Sequence, residues 1–188
     1  MTTPRCERIA LADLTDYAAG ELPDAETAAI EDHLFSCAEC AARVAEFDAL
    51  VRAIPPAVRS AEIGGFVTNA VLNRLGRDGA RVRTFTLSPE TIVPCAVWDD
   101  DELMALRLRG DFGGATEFTM SQRVAGAEVI RATGHVATSH GEIIYVVPAA
   151  WVRQLPVVAV EIQLTAHEDN VERPIGSYTL MHGGSLHR

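Results

Sequence analysis

The chain of 188 residues contains no lysine; all sixteen of its basic side chains are arginine. Codon composition is enough to produce that bias, and it carries no chemical reading. Cysteine is also scarce. Four cysteines are too few for a disulfide framework, and no N-terminal stretch joins a basic start to an apolar core and a small-residue cleavage site, so a reducing cytoplasm is the expected location. The longest largely apolar run, Ile143 to Val152, contains Pro148 and is about ten residues long, against the roughly twenty that a membrane helix needs. No membrane span is expected. The sequence has no glycine-rich phosphate loop, no nucleophile elbow and no histidine with a convincing general-acid partner, so an enzyme is not expected either. There is no internal repeat and no low-complexity segment.

What is present is enough apolar sequence for a core, 48% of residues, and an uneven excess of acid. The formal net charge is −10, and residues 1–56 carry four arginines against eleven acidic residues, about −7 of the total. That end repels nucleic acid and suits either a solvated helix surface or a basic protein partner.

The stretch His33-Leu34-Phe35-Ser36-Cys37-Ala38-Glu39-Cys40 carries three good metal ligands at spacings that one site can use. Positions four apart share a helical face, so His33 and Cys37 point the same way, and Cys40 joins them if the helix ends or bends there. A structural zinc takes four N or S donors in a tetrahedron, and Cys6, just ahead of the first helical pattern, is the expected fourth. A redox Cys-x-x-Cys belongs at a strand-to-helix junction, whereas here helical patterns lie on both sides.

Apolar periodicity predicts a helix over 7–19, with Leu11, Leu14 and Ala18 on one face, and a stop at Gly20. A second helix is expected from about Ala25 to Ser36, capped by Asp24. A third begins near Cys40 and carries Ala41, Val44, Phe47, Val51 and Ile54 until Pro55-Pro56 ends it. That reading gives Cys40, but not Cys37, the benefit of the third helix's dipole. Three such helices make roughly fifty residues, a size that usually needs a metal to supplement its core. A fourth amphipathic helix is expected from Ala61 to Leu75, with Ile63, Phe66, Val67, Ala70, Val71 and Leu75 on one side, free to dock on the downstream domain or on a partner.

From Arg81 the pattern changes to eight short strands: Val82–Leu87, Thr91–Trp98, Leu103–Leu108, Thr116–Val124, Val129–Ala132, Ile143–Val147, Val157–Leu164 and Ile175–Met181. The expectation is an α+β multidomain chain: a zinc-bound helical domain over 1–56, an amphipathic helix and linker over 57–80, and an all-β sandwich or barrel over 81–188.

Cys6, then Gly20-Glu21-Leu22 before Asp24, then His33-Leu34-x-x-Cys37-x-x-Cys40 leading into a third helix, resembles the zinc-binding anti-sigma factor family, in its soluble cytoplasmic subgroup, over residues 6–75. The resemblance implies a helical domain that wraps an extracytoplasmic-function sigma factor, lodges between its two DNA-binding regions and blocks RNA polymerase. It implies one Zn2+ held by Cys6, His33, Cys37 and Cys40, with the Ile63–Leu75 helix gripping the sigma factor. In the redox-sensing members an oxidant expels the metal and joins Cys6 to Cys37 or Cys40; a purely structural zinc is the other option. One soluble type carries a cupin domain, which the β-rich half invites. Cupin sites usually show His-x-His, however, while His135 and His140 are five apart, and His167, His182 and Glu142 complete no pattern. The alternative function is a small-molecule-binding or metal-dependent cupin-like β-domain protein that the zinc helical part merely tethers.

Overall fold

The structure, a computed structural model, describes residues 9–20, 22–59, 64–136, 141–168 and 171–186. Three helices come first: α1 (Leu11–Ala19), α2 (Asp24–Leu34) and α3 (Ala38–Arg59). Gly20 ends α1 in the left-handed conformation (φ 75°), and its N–H donates back to the Tyr17 carbonyl. Asp24 does not cap α2. Pro23 occupies the cap position, and Asp24 lies in the first turn, where its charge still favours the helix dipole.

The third helix differs more from expectation, starting at Ala38 and running through Pro55-Pro56 to Arg59. Proline's fixed φ is itself helical, so the pair is compatible with helical backbone, at the cost of two N–H donors and of crowding against the preceding turn. The core of the three helices is small: Leu14, Ile30 and Cys40 are buried, with Ile9, Tyr17, Leu22, Leu34, Val44 and Phe47 partly so around them.

The single helix expected over 61–75 is instead a strand followed by a helix. Gly65–Val67 form β1, which pairs antiparallel with β7 (Glu142–Pro148), and α4 (Asn69–Arg77) follows. Thr68 caps α4, its Oγ1 accepting from the Val71 N–H at 3.3 Å.

The remaining strands are β2 (Val82–Leu87), β3 (Ile92–Trp98), β4 (Leu103–Arg109), β5 (Glu117–Val124), β6 (Ala127–His135), β8 (Val158–Glu168) and β9 (Val171–Leu186), with a short helix α5 (Ala149–Arg153) after β7. They form two open sheets, in the orders β1-β7-β4-β2 and β3-β9-β8-β5-β6. Neither closes into a barrel, so of the two expected β architectures the sandwich is the one found. Leu106, Leu108 and Tyr145 from the first sheet meet Phe118, Ile162 and Tyr178 from the second in one core.

The other face of the first sheet is also covered. Leu103, Ala105, Ile144 and Val146 turn outward onto Val71, Leu72 and Leu75 of α4. Burial on both faces explains why Leu103–Leu106 and Ile143–Val147 read as continuous apolar runs rather than alternating ones. The acidic turn after β3 is tied down by Asp101, which accepts from Arg83 Nε and the Trp98 N–H, while Arg153 of α5 donates to the Trp98 and Asp101 carbonyls.

Candidate metal centre

The joint between α2 and α3 builds the site. α2 ends at Leu34, and the Ser36 N–H and Oγ both bond the His33 carbonyl, each at 2.9 Å, which turns the chain back on itself. Cys37 follows, and its carbonyl accepts from Ala41 N at 3.1 Å, opening α3. Cys37 is therefore the residue immediately before α3, and Cys40 lies in that helix's first turn. This corrects the expectation for Cys37: both thiols stand at the positive end of α3, where a thiolate is favoured.

The ligand atoms of His33, Cys37 and Cys40 all lie within 4.8 Å of one another. A tetrahedral zinc with bonds of ~2.0–2.3 Å spaces its ligands roughly 3.3–3.8 Å apart, so the donor set and spacing fit one Zn2+. Cys40 is buried and His33 and Cys37 are half-buried, beside Leu14 and Ile30. Around them Arg43 and Glu39 pair at 2.7 Å along α3, and the Tyr17 hydroxyl reaches Glu31 at 3.4 Å, linking α1 to α2. The chemistry supplied is that of a clip: soft donors holding two helix ends together. Cys6, the fourth expected ligand, lies outside the described residues.

The residues expected to bind a partner are dispersed over two elements. Phe66 and Val67 are in β1, Phe66 packing edge-on against Tyr145 with ring centroids 5.3 Å apart. Val71 and Leu75 are in α4 with Ala70, and Val67, Val71 and Leu75 are covered by the chain's own sheet. Ile63 lies outside the described residues.

The histidines of the β half do not converge. His135 is exposed on β6; His167 bonds Thr119 Oγ1 at 2.8 Å; Glu142 is ion-paired with Arg107; His182 is buried in β9; and His140 lies outside the described residues. Among the described residues only His33, Cys37 and Cys40 form a group that could hold a metal. What sequence reasoning missed is the position of His182. It continues the inward row Tyr178, Leu180, His182 on β9, a period-two signal that was available in the sequence.

Residues 6–41 match the family described as "Putative zinc-finger", the domain typical of zinc-binding anti-sigma factors. No curated protein matches the chain. Among solved structures the chain is similar to the N-terminal domain of phage TP901-1 ORF48, at 12% identity and a TM-score of 0.34, over 54% of this chain and 97% of that one.

Proposed function

We propose that the protein is an anti-sigma factor: it binds an extracytoplasmic-function sigma factor through its zinc-clipped helical half and keeps it from RNA polymerase. The observation that carries this reading is the zinc-finger family match over 6–41 coinciding with the His33/Cys37/Cys40 cluster. Cys6 completes the ligand set. With four protein ligands the zinc has no open position for water, so its role is structural or switching, not catalytic. The acidic N-terminal part suits a basic, DNA-binding partner and disfavours direct contact with nucleic acid. No helix among the described residues is long and apolar enough to cross a membrane, and a cytoplasmic protein fits the reading.

Contact through Ile63, Phe66, Val67, Ala70, Val71 and Leu75 belongs to the same proposal, with one condition. Because β4 and β7 already cover Val67, Val71 and Leu75, a sigma factor that uses this face competes with the sheet for it. Release then has two routes. A peroxide can take two electrons from a pair of the zinc thiolates, itself reduced to water or an alcohol, so that a disulfide forms and the zinc is expelled, or an event in the β-sandwich can change how firmly the sheet holds α4.

The test is co-expression of the chain with the extracytoplasmic-function sigma factors of its own genome, each in turn. Co-purification of the two as a stable complex supports the reading, and loss of the complex with Cys37→Ser ties it to the metal. Failure of the intact, zinc-loaded chain to co-purify with any of them would sink it.

A further inference from the structure

One end of the β-sandwich holds a cavity of about 210 Å3 between the two sheets. Its walls are apolar, from β3, β4, β7, β8 and β9, and its mouth lies at Trp151 of α5 and Val129 of β6, which are 39% and 51% exposed. Two side chains break the apolar lining. His182 is 1% exposed, and among the described residues neither ring nitrogen makes a hydrogen bond of normal geometry, although the Leu155 backbone lies close enough to act on the ring. Gln122, 6% exposed, aims its amide nitrogen at the Met120 sulfur, 3.9 Å away, which is a weak acceptor.

Both occupy inward positions of their strands, Gln122 after Phe118 and Met120 on β5, His182 after Tyr178 and Leu180 on β9. An aliphatic residue at either place would complete the core. A buried imidazole left without a partner is costly unless something supplies the hydrogen bond.

We infer that this cavity is a binding site for a small neutral aromatic molecule carrying one hydroxyl, a phenol, whose ring fills the apolar space and whose hydroxyl bonds His182. Size sets the first limit: a cavity of ~150 Å3 admits benzene, so this one takes a single ring with a few further atoms. Charge sets the second. No charged side chain lines the cavity among the described residues, so a carboxylate or an amine would be buried without a counter-ion. Hydrogen bonding sets the third. Burial pushes the His182 pKa below its ordinary value, against a smaller opposing pull from the Leu155 backbone, so the ring is neutral. A neutral imidazole has one donor and one acceptor nitrogen, and a hydroxyl satisfies either, whichever tautomer is present. A ketone serves only one tautomer, and a hydrocarbon serves neither.

The site is separate from the metal cluster and does not depend on the sigma-factor reading. It gives the β half a ligand class with no second metal.

The test uses the full zinc-loaded chain with phenol and toluene as probes, followed by calorimetry and by the NMR signals of the His182 imidazole. Phenol should bind saturably, shift those signals and quench Trp151, and toluene should bind at least about tenfold more weakly. His182→Leu should abolish the preference for phenol. Val129→Trp, at an exposed position on the rim, should block both probes while leaving the melting temperature and zinc content unchanged. Absence of saturable phenol binding, equal affinity for the two probes, or a preference that survives His182→Leu would each overturn the inference.

Discussion

His33 and Cys37 stand on opposite sides of the break between α2 and α3, yet their ligand atoms lie within 4.8 Å of each other and of Cys40. The backbone turn that brings them together rests on two hydrogen bonds from Ser36, one from its exposed hydroxyl, and the core beneath has three buried residues among those described. Structural zinc in small peptides contributes on the order of 10–16 kcal/mol at neutral pH, far more than such a core supplies. Cys37→Ser should therefore reduce zinc from one per chain to none and lower the helical circular dichroism, while the sandwich remains folded. Elemental analysis with far-UV spectra checks this; a variant that keeps its zinc would exclude Cys37 as a ligand.

The two sheets are also joined by a specific bond. The Tyr178 hydroxyl on β9 donates to the Arg109 carbonyl on β4 at 2.8 Å, and burial pushes the phenol up to about 12. Tyr178→Phe keeps the ring and leaves that carbonyl without its donor. The expected loss is about 1–3 kcal/mol in urea unfolding of the sandwich, with zinc content unchanged.

Cys95 should react very differently from the metal-site thiols. Burial pushes its thiol up to about 11, and the Arg83 charge opposes that only in part. Because the folded pKa lies above the unfolded value near 9, the stability this group contributes is complete below pH 9 and is lost as pH rises from 9 through about 11. At pH 8 iodoacetamide should leave Cys95 unmodified in the native chain, with labelling rising above about pH 10. Mass spectrometry of the alkylated protein gives the answer, and rapid labelling at pH 8 would contradict the burial argument.

Competition for α4 predicts a change far from the metal. If the sigma factor takes the face formed by Val67, Val71 and Leu75, then β1 must loosen from β7, where Gly65, Phe66 and Val67 pair with Val146, Tyr145 and Ile144. Hydrogen exchange at these amides should accelerate when the sigma factor binds. Unchanged protection would mean that the helical half holds the partner and α4 stays docked.

Among the described residues eight of the nine strands were legible because they alternate, or run continuously apolar, between turn-forming residues, and β2 coincides with its expected bounds, Val82–Leu87. β1 was not. Phe66-Val67 is too short to show a period of two, and the residues after it do follow a helical period, so the pattern absorbed the strand into the helix. Pro55-Pro56 misled in the other direction, since proline's helical φ lets α3 continue with the loss of two hydrogen bonds. The metal cluster was legible because ligand chemistry restricts it to few residue types. The cavity at His182 was not, because it depends on which strands face each other across the sandwich, and that order, β3-β9-β8-β5-β6 against β1-β7-β4-β2, is set by pairing remote in sequence.

The most direct test is transcription from a promoter recognised by the sigma factor that co-purifies with the chain, using purified RNA polymerase, that sigma factor and increasing amounts of this chain. The zinc-loaded chain should abolish transcription at about one equivalent of the sigma factor, and Cys37→Ser or prior zinc removal should restore it. Full transcription in the presence of excess zinc-loaded chain would contradict the anti-sigma reading.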